Sequence, residues 1–250
     1  MYTRRLWIVL IAALVFPLAL AACGDDEEAD KEALRGSGNI VTEEMPFADF
    51  TSLDVRSAFD AHIVQSETFA VTIRVDDNIL DLVDVSKEGD TLTIGLERSV
   101  RLTGDVTLEA DITMPDLDDL KLSGAARANL SGFSSSDELE IDLSGASNLD
   151  GDLEAGEVDI EASGASRIVL EGSATELIIE GSGASSLDLA DFTADTADVR
   201  LSGASDATVN VQERIDSADV SGASRLRYLG DPELDDVTSS GASTIEKVGD

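Results

Sequence analysis

Across 250 residues, 52 acidic side chains face 17 basic ones, a net charge of −35. That balance excludes a nucleic acid or an anionic lipid surface as an electrostatic partner, because both are held through Lys and Arg. The single cysteine, Cys23, rules out an intrachain disulfide framework, so a chain long enough for one substantial core must be stabilised by packing.

Arg4 and Arg5 precede an apolar run from Leu6 to Leu20, which has the length of a signal-peptide core. A membrane span needs about 20 apolar residues and different flanks. The run closes on Leu20-Ala21-Ala22-Cys23, and small residues before a cut with a thiol directly after it resemble the processing site of bacterial lipoproteins. The resemblance implies that residues 1–22 are a lipoprotein signal peptide and that Cys23 is lipidated, anchoring the protein to a membrane through several acyl chains at about 0.8 kcal/mol per buried CH2. Gly24, not Asp, follows Cys23. In an organism with two membranes this points to the outer membrane, and otherwise to the cell envelope. Residues 23–38 are acidic, poor in large apolar residues and end in Gly-Ser-Gly, the composition of a flexible tether.

The rest, residues 39–250, reads as one domain. In residues 39–115 alternating runs such as Val71-Thr72-Ile73-Arg74-Val75, Leu92-Thr93-Ile94-Gly95-Leu96 and Val106-Thr107-Leu108-Glu109-Ala110 are separated by turn signals at Glu88-Gly89-Asp90 and Gly104-Asp105. They predict strands with irregular connections that form an N-terminal cap. From residue 116 onward the chain is regular. Ser-Gly-Ala occurs seven times between Ser123 and Ala242, at intervals of 21, 19, 19, 20, 19 and 19 residues.

Aligned on the first serine, three columns are apolar. Leu120, Ile141, Ile160, Ile179, Val199, Ala218 and Val237 stand three residues before it; Leu122, Leu143, Ala162, Gly181, Leu201, Val220 and Ser239 stand one before; Ala128, Leu149, Ile168, Leu187, Ala207, Leu226 and Ile245 stand five after. A spacing of two is strand periodicity, and no copy has helical spacing. Each copy is too short for a strand–helix–strand crossover. The sequence therefore predicts an all-β parallel β-solenoid, β-helix-like, of about seven coils of 19–21 residues with a strand-rich N-terminal cap; an open sheet of hairpins is the alternative. Ser-Gly-Ala is then a corner of small residues where one coil passes close to the next. The last copy, Asp235-Asp236-Val237-Thr238-Ser239-Ser240, is polar and charged, as befits a terminal repeat that must blunt a sheet edge.

The outward columns carry the charge. Four before the serine stand Asp119, Glu140, Asp159, Ile178, Asp198, Ser217 and Asp236; two before it stand Lys121, Asp142, Glu161, Glu180, Arg200, Asp219 and Thr238. Parallel stacking makes these an acidic stripe whose repulsion is relieved by bound cations or by arginines. The column four after the serine, with Arg127, Arg167 and Arg225, is a candidate source of those arginines.

The serial Ser-Gly-Ala-Ser corners resemble the head GIN domain, a family labelled putative auto-transporter adhesin. Phe50-Thr51-Ser52-Leu53-Asp54-Val55 with Phe59-Asp60-Ala61-His62-Ile63 is similar to its opening, Gly89-Asp90-Thr91-Leu92-Thr93-Ile94 to its middle, and Arg225-Leu226-Arg227-Tyr228-Leu229-Gly230-Asp231-Pro232 to its close. The resemblance covers about residues 40–248 and implies a β-helix-like solenoid in a bacterial envelope protein. It brings no catalytic or ligand residues with it.

Nothing in the sequence assembles a catalytic constellation. His62 is the only histidine, no Gly-x-Ser-x-Gly elbow is present, and no His/Cys cluster has zinc-ligand spacing. The calcium-loaded Gly-Gly-x-Gly-x-Asp repeat is also missing. No catalytic, cofactor-binding or metal residue is therefore assigned, and a divalent cation on the acidic stripe stays open. The reading is a lipid-anchored, non-enzymatic envelope protein that presents its solenoid surface to a protein or glycan. The alternatives are a solenoid glycoside hydrolase or polysaccharide lyase using paired carboxylates, and an envelope scaffold or stress-related factor with no external ligand.

Overall fold

The computed structural model describes residues 33–97 and 100–249. The leader, Cys23 and most of the acidic segment lie outside the described residues.

The columns that alternate in sequence alternate in space. On one face of a parallel solenoid, β8 (Asp119–Leu122) and β10 (Glu138–Leu143) lie side by side. The second halves of β11 (Asn148–Ala162), β12 (Arg167–Gly181), β13 (Ser186–Leu201) and β14 (Asp206–Val220) continue that face, and β16 (Glu233–Ser239) ends it. On the other face β9 (Arg127–Ser134) is followed by the first halves of β11 to β14, then by β15 (Arg225–Leu229) and β17 (Thr244–Lys247). Each Ser-Gly-Ala joins the two faces, and the long strands bend round the opposite side, where the ladder continues through local register shifts. This is the predicted solenoid, not the open sheet of hairpins.

Register follows the repeat: Ile141 pairs with Leu120 on one side and Ile160 on the other, and Ile160 with Ile179. Leu120, Ile141, Ile160, Ile179, Val199, Leu149, Ile168 and Leu226 are completely buried. The one interval of 20 residues among neighbours of 19 is absorbed as a bulge, where Val169 pairs with Asp188 but Gly172 with Phe192.

At the corners the ladder continues. Ala146, Ala165, Ala184, Ala204, Ala223 and Ala242 each donate their N–H to the corner glycine carbonyl of the preceding coil, at 2.7–2.8 Å. In five of the seven corners the fourth residue is a serine turned inward: Ser147, Ser166, Ser185, Ser205 and Ser224 are at most 2% exposed. Their hydroxyls are satisfied within the corner or by the next one, as where Ser166 Oγ donates to the Ser163 carbonyl at 2.9 Å and Ser185 Oγ to Ser205 Oγ of the following coil at 3.1 Å.

The N-terminal region adds layers that the repeat does not announce. β2 (Ser52–Val55) and β3 (Asp60–Gln65) form a coil of their own, packed against β8 and β9. Its corner is Arg56-Ser57-Ala58, and Ser57 holds φ 69°, the conformation glycine takes at every later corner. The next layer out is β6 (Thr91–Leu96) on β2 and β7 (Leu108–Met114) on β3, so the first coil in sequence lies second in space. Antiparallel strands close this end: β5 (Val83–Glu88) on β6, β4 (Ala70–Asp76) on β7, and β1 (Ile40–Met45) on β4. Leu34, Leu80, Leu102 and Val106 cover the core there.

Leu34 to Gly38, tether residues by composition, are seated on the domain. Leu34 exchanges backbone hydrogen bonds with Arg101 and Thr103, at 2.8 and 2.9 Å. The buried Asp76 carboxylate accepts the Gly38 N–H at 2.6 Å and the Thr107 N–H at 2.8 Å. The Thr107 and Gly38 donors hold its pKa below the ordinary aspartate value.

Candidate functional site

A corner must jut beyond the strand that feeds it, so stacked corners form a ledge and the outward side chains beside them form a wall. Between the two runs an open groove of about 620 Å³. Its ledge is the first corner serine of each coil, Ser123, Ser144, Ser163, Ser182, Ser202 and Ser221, and its wall is Asp54, Lys121, Asp142, Glu161, Glu180, Arg200 and Asp219. Parallel register places these wall residues in line, one per coil, at about 4.8 Å per coil. The hidden first coil contributes Asp54 and Arg56 to it, which a search for Ser-Gly-Ala does not find; the signal present is the alternation Leu53-Asp54-Val55 before a small-residue corner.

Charge along the wall is patterned. Lys121 Nζ lies 3.0 Å from both Asp119 and Asp142, and Arg200 lies 2.8 Å from Glu180. Burial opposes the charge of Lys121, but its bonds to Asp142 and Asp119 outweigh that and raise its pKa. Between these pairs sits Glu161, which has no ion pair among the described residues. Repulsion from Asp142, then burial, then Glu180 raise the Glu161 carboxyl above the ordinary glutamate value. The same face carries Glu138, Glu140, Glu157, Asp159 and Glu176 in adjoining register. Asp159 and Glu157 are raised as well, burial first and neighbouring carboxylates after.

The acidic stripe thus forms, interrupted by Lys121, Arg200 and Ile178. The relieving cations stand within the stripe, not in the column expected to supply them. Arg127, Arg167 and Arg225 lie round the corner on the other face, and Arg225 pairs there with Asp206 at 3.1 Å. Among the described residues no three His, Cys, Asp or Glu side chains are disposed to hold a metal ion. His62 is exposed on β3, in register with Asp111 and Asn129 and away from the groove. Cys23, the expected lipidation site, lies outside the described residues. Among the described residues no aromatic side chain lines the groove.

Solved structures share this architecture. The chain is similar to a putative adhesin from Bacteroides fragilis, with 20% identity, a TM-score of 0.76, and coverage of 86% of this chain and 100% of that one. It is similar to a putative adhesin from Parabacteroides merdae, with 19% identity, a TM-score of 0.66, and coverage of 87% and 99%. A third similar structure is a putative lipid binding protein from Parabacteroides distasonis, with 22% identity, a TM-score of 0.65, and coverage of 87% and 100%. No curated protein matches the chain. The family described as putative auto-transporter adhesin, head GIN domain, matches residues 49–232, from the turn into the first coil to just past the close of β15, and the chain belongs to that family.

Proposed function

We propose that this chain is a non-enzymatic adhesin of the cell envelope, lipid-anchored through Cys23, whose corner groove binds an extended protein or glycan. The family and the adhesin-like structures support an adhesion or binding role and a place at the envelope or surface. The observation that carries the finer reading is the groove, which crosses seven successive coils and offers one polar wall residue per coil. Such a track suits a polymer better than a small molecule, and the carboxylates at its centre favour a ligand with cationic or hydrogen-bond-donating groups.

The test is capture from envelope and host extracts by residues 24–250, with and without calcium. Wild type and Arg167→Glu, altered on the far face, capture the same ligand; Glu161→Lys, reversed in the groove, loses it. Equal capture by all three puts binding elsewhere. Turnover of a glycan that disappears in Glu161→Gln replaces the binding reading with the hydrolase one. For the anchor, Cys23→Ser releases the protein from membranes, and continued membrane fractionation contradicts lipidation.

A further inference from the structure

The two ends of the solenoid are finished differently. The N-terminal end is closed by antiparallel strands and covered by Leu34, Leu80, Leu102 and Val106. At the other end β16 pairs only with β14 and β17 only with β15 among the described residues. The columns that are core everywhere else surface there. Leu234, in register with the buried Ile215, is 41% exposed, and Val237, in register with the buried Ala218, is 36% exposed. Only two other large apolar side chains among the described residues, Ile40 and Val64, are exposed to this degree.

The backbone is equally open. Ser240 donates its N–H to Val220 and Thr244 to Ser224. Because alternate residues of a parallel strand turn to the same neighbour, Val237 and Ser239 direct their N–H and C=O groups to the free edge. We infer that this end is a docking edge for an extended segment of another protein, added as a further coil-like strand, with an apolar residue over Val237 and Lys or Arg on the alternate positions beside it, over Asp236.

Charge selects the occupant. Elsewhere in the solenoid a cation on one coil meets a carboxylate on the next, as in Lys121–Asp142 at 3.0 Å, Arg200–Glu180 at 2.8 Å and Arg225–Asp206 at 3.1 Å. The last coil offers Glu233, Asp236 and Glu246, which have no ion pair among the described residues, and Asp235, which Arg214 reaches only at 3.7 Å. A basic strand continues the cross-coil pattern. A second copy of this chain does not, because an isologous pairing sets one acidic β16, with Glu233, Asp235 and Asp236, alongside another. The same charges that repel a copy leave the edge selective for a basic strand.

The experiment titrates the full chain with a short synthetic peptide of alternating valine and lysine, with a valine–glutamate peptide as control. The valine–lysine peptide binds saturably and the control does not. Val237→Pro, which blocks the free edge without removing a ladder donor, abolishes binding. Asp236→Lys, on the solvent side, weakens it about fivefold, the scale of one exposed charge pair; both variants are compared at matched circular dichroism. Absence of binding, or equal binding of the two peptides or of wild type and Asp236→Lys, overturns the proposal. So does sedimentation showing a dimer of the wild type that Asp236→Lys changes, since the occupant is then a second copy.

Discussion

Gly164 concentrates what the corner demands. It holds φ 74°, and a Cβ built on it would stand 2.4 Å from the Gly145 carbonyl oxygen of the preceding coil. Gly164→Val therefore incurs both backbone strain and a clash with main chain that cannot move aside, a loss of about 2–5 kcal/mol. Thermal melting checks it, and an unchanged Tm contradicts the corner geometry. Ser57 is the converse case: a side chain sits where the fold wants glycine, but its Oγ accepts the Leu96 N–H at 3.4 Å. In Ser57→Gly the relief of strain is offset by the lost bond and by the freer unfolded chain, and a denaturant titration shows a change of less than about 1 kcal/mol. The corner glycines were legible because the tripeptide repeats. Ser57 was not, since Arg56-Ser57-Ala58 shares only its alanine and its backbone shape with the motif. The buried second serine was legible as part of Ser-Gly-Ala-Ser but its inward direction was not, because serine is a turn residue on either side of a sheet.

At the scale of elements, period-2 columns translated directly into faces, since in a parallel sheet a buried column stays buried from coil to coil. The order of the N-terminal strands did not translate. Which of several alternating runs pairs with which depends on long loops and on a single coil slotting between two others, and local sequence does not encode that. The seat of Leu34 to Gly38 was hidden for a related reason: their composition is that of a tether, and their order comes from a distant carboxylate. Asp76→Asn replaces an ionised acceptor by an amide and costs about 1.5–3 kcal/mol. Faster amide exchange at Gly38 and Thr107 is the specific readout, and exchange unchanged from wild type contradicts the clasp. Because the pKa of Asp76 is lowered on folding, its contribution is complete above the ordinary aspartate range and is lost as the pH falls through the lowered value.

For the whole molecule, charge sets the response to solution conditions. Glu157, Asp159 and Glu161 titrate above their ordinary values, so the folded chain binds more protons than the unfolded one between the two. Their repulsion is relieved as the pH falls through the raised values and returns as it rises. Tm accordingly rises as the pH falls from neutral toward the raised values, added salt narrows the change, and Glu161→Gln both raises Tm at neutral pH and flattens the profile. A Tm that drops as the pH falls over that range contradicts a strained acidic face. That the chain is acidic was plain from composition; that its charges line a groove became visible only once the corner ledge stood beside the wall. The most direct measurement places a photoreactive residue at Ser163 on the groove ledge or at Arg167 on the opposite face, and cross-links mature protein to envelope and host surfaces. A discrete adduct from position 163 and none from 167 is the predicted result. Adducts from 167 alone, or from neither, would contradict a binding groove.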